Sequence, residues 1–299
     1  MASLVLDGSP FGPPLDDARI PWWSFTKTVL SAAVMSLVRD GSIALDEPLD
    51  GRPFTLRHLL RHEAGLPDYS ELPEYHAAVA RHDAAWPASD MEYRVDANRL
   101  RYEPGTDWRY SNIGYLYVSM LIQRVTNRSL EEALVDRVFT PLGISGISIA
   151  RTVGDLANVR MGAASGYDPG WVYHGLLVGR LRDAALFLDR LVTGHLLPAS
   201  LLREMQATRS LGGPISGRPW TSPGYGLGLM QGIMGSGLQV CGHTGAGPGS
   251  VLAVYACMNG GQAACCAVFR EGSDESAAEK AVILLLEAGA CNANDTAAS

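Results

Sequence analysis

Lysine is almost missing from this chain. Of its 24 basic residues only Lys27 and Lys280 are Lys; the rest are Arg. Charged residues make up 18% of the 299, below the usual quarter, and no run of Lys or Arg occurs. The net charge is -7. Such a chain is not prepared for nucleic acid or for an anionic membrane surface. No apolar stretch approaches the roughly 20 residues of a membrane-spanning helix. The segment Met1 to Gly8 has no basic start and reaches Asp7 after a very short apolar run, unlike a secretory leader, so the expected location is the cytoplasm. Cysteine is scarce too. Cys241, Cys257, Cys265, Cys266 and Cys291 are odd in number and lack CxxC spacing, which favours buried free thiols over a disulfide framework or a metal site. Gly-x-Ser-x-Gly is absent, which removes the α/β-hydrolase nucleophile elbow.

What is present is apolar: 47% of residues are hydrophobic, enough for a large core. Ser3 to Leu6 reads as a short strand, followed by a Gly- and Pro-rich turn region. Thr26 to Val38 is apolar on nearly every side, with only small polar interruptions after Lys27, so it predicts a buried helix ended by Asp40-Gly41. Further helices are expected at Leu56 to His62, Ile113 to Thr126, Leu130 to Val138 and Leu181 to Val192. From Tyr225 the pattern turns to strands: Tyr225 to Met230, Leu238 to Thr244, Val251 to Met258 and Ala263 to Arg270, with Asn259-Gly260 as a hairpin turn. Asp274 to Ala288 reads as a closing helix, with Ser276 and Glu279 spaced as a capping box. The expectation is an α+β fold in one compact unit. Residues 1–50 and 220–299 would form a sheet lobe, residues 51–219 a helical lobe, and the active site would lie between them.

Arg cannot act as a base at physiological pH, whereas Lys can if its pKa falls. Lys27 lies in the first turn of the buried helix, where burial and the helix dipole both disfavour an ammonium. Ser24 precedes it by three residues and shares its helix face. Ser24-Phe25-Thr26-Lys27 is therefore either a nucleophile beside its base or a helix cap beside an ordinary lysine. Tyr110-Ser111-Asn112 is either the N-cap of the next helix or a proton-transfer and substrate-binding turn. His243-Thr244-Gly245 ends a strand, where Gly245 would let a substrate backbone approach and the amide of Ala246 could face an oxyanion. Gly245-Ala246-Gly247 is no dinucleotide loop, because another strand follows it. His58 and His62 stand four apart but lack the remaining zincin signature, so no metal or other cofactor is expected. Trp22 and Trp23 flank Ser24 as acyl-pocket or core residues.

In this order the three motifs resemble the serine β-lactamase and penicillin-recognising superfamily, in its class C branch. That branch includes class C β-lactamases, D-Ala-D-Ala carboxypeptidases, D-aminopeptidases and family VIII esterases. Thr55 to Pro67, Pro141-Leu142-Gly143-Ile144 and Tyr225-Gly226-Leu227-Gly228 match its connecting segments, so the resemblance runs from about Trp22 to Leu286. It implies a β-lactamase/transpeptidase-like sheet flanked by helices. It also implies Ser24 as nucleophile, Lys27 as base, and Tyr110 as second proton-transfer group. Asn112, His243, Thr244, Gly245 and Ala246 would surround the substrate, with the amides of Ser24 and Ala246 as oxyanion hole. Two features depart from the pattern. Only 23 residues precede Ser24, so the sheet either lacks a strand or has its edge covered by a partner chain, as in a homo-oligomer. The third motif begins with His where many β-lactamases have Lys, and a mostly neutral His attracts a carboxylate weakly. The expected partner is a small ester or amide. A carboxylesterase comes first, a D-aminopeptidase or peptidase-like amidase second, and a β-lactamase or cell-wall carboxypeptidase third. A different class is a sensor that is acylated without turnover.

Overall fold

The structure is a computed structural model that describes residues 1–11, 17–49, 51–163, 166–259 and 262–297. Strands β1 (Ala2–Leu6), β2 (Ser9–Phe11) and β3 (Arg19–Pro21) precede helix α1 (Thr26–Arg39). The middle of the chain carries α2 (Leu56–Leu60), α3 (Pro73–Ala80), α4 (Ala88–Arg94), α5 (Asn112–Thr126), α6 (Leu130–Leu134), β4 (Ser148–Ala150), β5 (Leu176–Arg180), α7 (Leu181–Val192) and α8 (Ala199–Gln206). The chain closes with β6 (Arg209–Ser210), β7 (Trp220–Tyr225), β8 (Met230–Met234), β9 (Gln239–Gly247), β10 (Ser250–Asn259), β11 (Gln262–Glu271) and α9 (Glu275–Ala297).

Among the described residues the main sheet has eight strands in the order β2-β1-β11-β10-β9-β8-β7-β6, each paired antiparallel with its neighbours. The short N-terminal segment still supplies two strands: β1 pairs with β11 from Ala2 opposite Val268 to Leu6 opposite Ala264, and β2 forms the outer edge. Strands β10 and β11 read as unbroken apolar runs because helices cover both sheet faces. Leu252, Val254 and Ala256 face the core that holds α1 and α7, while Val251, Ala253 and Tyr255 face the one that holds α9. Each large side chain so buried contributes about 1.5–3 kcal/mol. A second sheet, β3-β5-β4, carries the chain toward Ser24, and Trp22 N–H continues its ladder by donating to Leu177 O.

Every residue of α1 from Thr26 to Leu37 is buried, as its composition requires. Its small polar residues are satisfied inside: Thr28 donates to Gly228 O, and Ser31 bonds the Tyr115 hydroxyl. Three sequence expectations change. Tyr225 to Met230 is a turn between β7 and β8, closed by Gly226 N–H donating to Leu229 O. Its alternating leucines are buried as strand residues would be, but Gly228 adopts φ +74 against Ser31, where a side chain would clash. The capping box on α9 does not form. Asp274 accepts from Ala277 N–H, while Glu279 points into the core. Leu130 to Val138 is broken after Leu134 into a π turn. The hairpin pairs Asn259 with Gln262, and Gly260 lies outside the described residues. Cys241, Cys257, Cys265 and Cys266 are free thiols; the Cys291 side chain lies outside the described residues.

Candidate active site

Ser24 does not cap α1. It sits in a 3-10 turn, Trp23–Phe25, and neither this turn nor α1 receives a side-chain cap. The Ser24 hydroxyl is thereby left for other partners. The turn is tight: Trp23 has φ +42, an uncommon conformation for a bulky residue and a frequent one at functional sites. Its indole N–H is held by Ser250 Oγ at 3.1 Å. Strand β9 presses against this turn at Gly245. A Cβ there would lie 2.6 Å from Ser24 N and 2.8 Å from Trp23 Cβ. Gly245 is thus required by the approach of the chain's own Ser24 turn.

Lys27 is fully buried one helical turn on. Its Nζ lies 3.2 Å from Ser24 Oγ, 2.7 Å from Asn112 Oδ1 and 3.3 Å from His174 Nε2. Burial lowers its pKa from 10.5 to about 7, against a partial counterpull from Asp68. Asp68 is itself buried, and burial raises its carboxyl pKa. It accepts from the Asn112 backbone N–H at 2.8 Å, from Asn112 Nδ2 at 3.3 Å and from the Ser70 hydroxyl. The Asn112 side chain therefore links Asp68 to Lys27.

Asn112 is held by the start of α5. Ser111 is the N-cap there, accepting from Gly114 N–H and donating to Pro67 O. Capping and a functional turn coexist, because Tyr110 and Asn112 flank the capping residue. Tyr110 hydrogen-bonds Ser24, and burial holds its phenol well above the usual 10. His62, buried behind it, packs its ring 4.3 Å from the Tyr110 ring and accepts from Ser111 N–H through Nδ1. His58 Nδ1 accepts from Thr55 N–H in the cap of α2.

The third motif turns its polar atoms inward. His243 is buried and held neutral by burial, its pKa near 3. Its Nδ1–H donates to Thr244 O at 2.6 Å, so Nε2 accepts from the Tyr225 hydroxyl at 2.9 Å. The Thr244 hydroxyl donates to Glu279, which is fully buried and also accepts from Arg218, Trp220 Nε1 and Tyr255. Past Gly242, β9 has no pairing with β8, so its backbone borders the cavity, and Ala246 is exposed beside Ser24.

Two cavities meet at Ser24. One, of about 720 Å³, is lined by Tyr110, His243, Thr244, Arg209, Arg218 and Glu275 among others. The other, of about 420 Å³, shares Ser24, Asn112 and Ala246 with it. The structure thus brings together Ser24, Lys27, Tyr110, Asn112, His243, Thr244, Gly245 and Ala246. The sequence reading missed Asp68, His174 and Glu279. Asp68 follows Gly65-Leu66-Pro67 directly, which is a usable signal. His174 and Glu279 have none, since only folding places them here.

A helix-covered antiparallel sheet, with a serine and a buried lysine one turn apart facing a Tyr-Ser-Asn turn, is the architecture of the serine β-lactamase and penicillin-recognising class. A family model described as beta-lactamase matches residues 4–285, and the chain belongs to that family. A D-aminopeptidase of Brucella anthropi is 26% identical over 245 residues, 77% of this chain and 45% of that protein. A lovastatin esterase of Penicillium rubens is 27% identical over 195 residues, 56% of this chain and 48% of that protein. The chain spans less than half the length of these curated relatives. A solved D-stereospecific amidohydrolase from Streptomyces is 26% identical, with TM-score 0.75, covering 94% of this chain and 91% of that one. The penicillin-binding protein homologue of Pyrococcus abyssi, 20% identical with TM-score 0.76 over 96% of this chain and 73% of that one, shares the fold. The relatives thus include hydrolases of both amides and esters.

Proposed function

We propose that the chain is a serine hydrolase working through an acyl-enzyme on Ser24, first a carboxylesterase and second an amidase of the D-aminopeptidase kind. The observation that carries this reading is the buried Lys27 amine, 3.2 Å from Ser24 Oγ, with its pKa lowered to about 7. A neutral amine has two N–H groups and one lone pair. Asn112 Oδ1 accepts one N–H, and His174 Nε2, in the tautomer protonated at Nδ1, accepts the other. The lone pair is left for the Ser24 hydroxyl proton. Ser24 Oγ then attacks the carbonyl carbon as Lys27 takes that proton. The amides of Ser24 and Ala246 receive the oxyanion. Tyr110, neutral at its raised pKa, hands its proton to the leaving group and regains one from the Lys27 ammonium, which holds the proton that Ser24 gave up. Water enters the vacated space and attacks the acyl carbon, giving a proton to the Lys27–Tyr110 pair, which returns it to Ser24 Oγ as the acyl–Oγ bond breaks and the acid leaves.

The choice of esters and amides over penicillins or peptides with a free carboxylate rests on charge. Arg209 is bonded to Glu63 and to backbone carbonyls, Arg218 to Glu275 and Glu279, and His243 is neutral. Among the described residues lining the larger cavity, no cation is left over for a substrate carboxylate, while Asp107 adds negative charge. The test compares p-nitrophenyl butyrate, D-alanine p-nitroanilide and nitrocefin. Turnover of the first or second, lost in Ser24→Ala, supports the reading. A stable Ser24 adduct without product indicates an acylated sensor, and no adduct with ester, phosphonate or β-lactam probes removes the acyl-enzyme.

A further inference from the structure

The residues on either side of Tyr110 both bond to one residue, His62. Arg109 N–H donates to His62 O at 3.1 Å, and Ser111 N–H donates to His62 Nδ1 at 3.1 Å. Between these two bonds the imidazole centroid lies 4.3 Å from that of the Tyr110 ring. His62 thus touches the backbone before Tyr110, the Tyr110 side chain and the backbone after it. Its own position is fixed in turn. Its carbonyl also accepts from the Tyr102 hydroxyl at 3.0 Å, its N–H donates to Leu59 O, and it adopts φ +60. That left-handed conformation is uncommon outside glycine, and it clusters at functional sites where the surrounding structure over-determines the backbone.

The partner settles the tautomer. A backbone N–H can only donate, so Nδ1 holds a lone pair and the ring proton is on Nε2. Nε2 has no hydrogen-bond partner among the described residues. The residue is 2% exposed, and besides Tyr110 the rings of Tyr225, Tyr115 and Trp108 lie at 4.7, 5.1 and 6.0 Å. Burial among them lowers the His62 pKa well below 6.5 and holds the ring neutral. An apolar ring of similar size would fill this aromatic cage and leave no N–H unpaired. What histidine adds is one acceptor, and that acceptor is spent on the amide next to Tyr110.

We propose that His62 is a positioning residue for Tyr110: through the Arg109 and Ser111 amides it holds the phenol hydroxyl at Ser24, where it can protonate a leaving group. The proposal rests on the acyl-enzyme reading above, with Tyr110 as proton donor. The readout is one ratio, kcat/KM for ethyl butyrate over kcat/KM for p-nitrophenyl butyrate. The acyl group is common to both, and of the two leaving groups only ethanol needs a proton in order to depart. Taken within one preparation, the ratio is independent of the folded fraction. Tyr110→Phe should lower it about a hundredfold. His62→Phe and His62→Leu, which lack the acceptor, should lower it at least about tenfold. His62→Asn places Oδ1 where Nδ1 stood and tolerates a left-handed backbone, so it should keep the ratio within about threefold of wild type. Adding His62→Phe to Tyr110→Phe should lower the ratio no further, since His62 acts through Tyr110. A wild-type ratio in His62→Phe or His62→Leu overturns the positioning role. So does a His62→Asn ratio as low as theirs, or losses that multiply in the double variant. If His62→Phe and His62→Leu do not fold, His62→Asn decides, because a role in ring packing alone predicts a loss there as well. A wild-type ratio in Tyr110→Phe overturns the donor role and the proposal with it. No labelling of wild-type Ser24 by a fluorophosphonate overturns the acyl-enzyme reading itself.

Discussion

Under the proposed acyl-enzyme mechanism, the pH dependence of acylation follows from the surroundings of Lys27. An ordinary lysine amine with pKa 10.5 would be neutral in roughly three molecules in ten thousand at pH 7. Buried here, with a pKa of about 7, it is neutral in roughly half. The fraction of enzyme holding a competent base thus rises about a thousandfold through burial alone. On the acid side, kcat/KM for an uncharged ester should fall about tenfold per pH unit, with its midpoint near 7. Lys27→Arg keeps its proton throughout and should lose about three orders of magnitude at every pH. The assay is kcat/KM for p-nitrophenyl butyrate from pH 5 to 10, with the pre-steady-state burst measured at each end. A profile that is flat from pH 6 to 8 and rises only above 9 would refute the argument, because the amine would then be titrating as though in water. So would an active Lys27→Arg enzyme.

The same shift carries a stability consequence. Between pH 7 and 10.5 the unfolded chain holds a proton on Lys27 that the folded chain lacks, so its cost, about 4 kcal/mol at pH 7, diminishes as pH rises. Chemical denaturation of Lys27→Met beside the wild type should show the stability difference moving in the wild type's favour from pH 7 to 10; a constant difference would contradict it. Glu279→Gln removes the charge that holds Arg218, Thr244, Trp220 and Tyr255, and should destabilise by about 3 kcal/mol in urea unfolding. Gly245→Ala would push a methyl against Ser24 N and Trp23 Cβ and should cut kcat about a hundredfold and lower the thermal midpoint as well. Tyr110→Phe should impair poor leaving groups more than p-nitrophenolate, which departs without a proton; equal losses would remove its donor role.

Local pattern carried much of this protein. The scarcity of Lys singled out Lys27, and an apolar segment with small polar breaks implied its burial, because such a helix has no face for water. The period-two and continuous apolar runs located β9, β10 and β11, since strand burial is written in adjacent residues. Where local pattern failed, a long-range contact had decided. Leu227 and Leu229 alternate like strand residues, yet the packing of Gly228 on Ser31 makes the segment a turn. Ser276 and Glu279 have the spacing of a capping box, yet Arg218, Trp220, Thr244 and Tyr255 draw Glu279 into the core, where several hydrogen bonds outweigh one cap. The proposed nucleophile and its base are thus read from four consecutive residues. The lone pair's direction, the neutrality of His243 and the placing of Tyr110 belong to the tertiary structure. Desolvation and hydrogen-bond geometry depend on groups such as Asp68 and His174, which only the folded chain brings within reach.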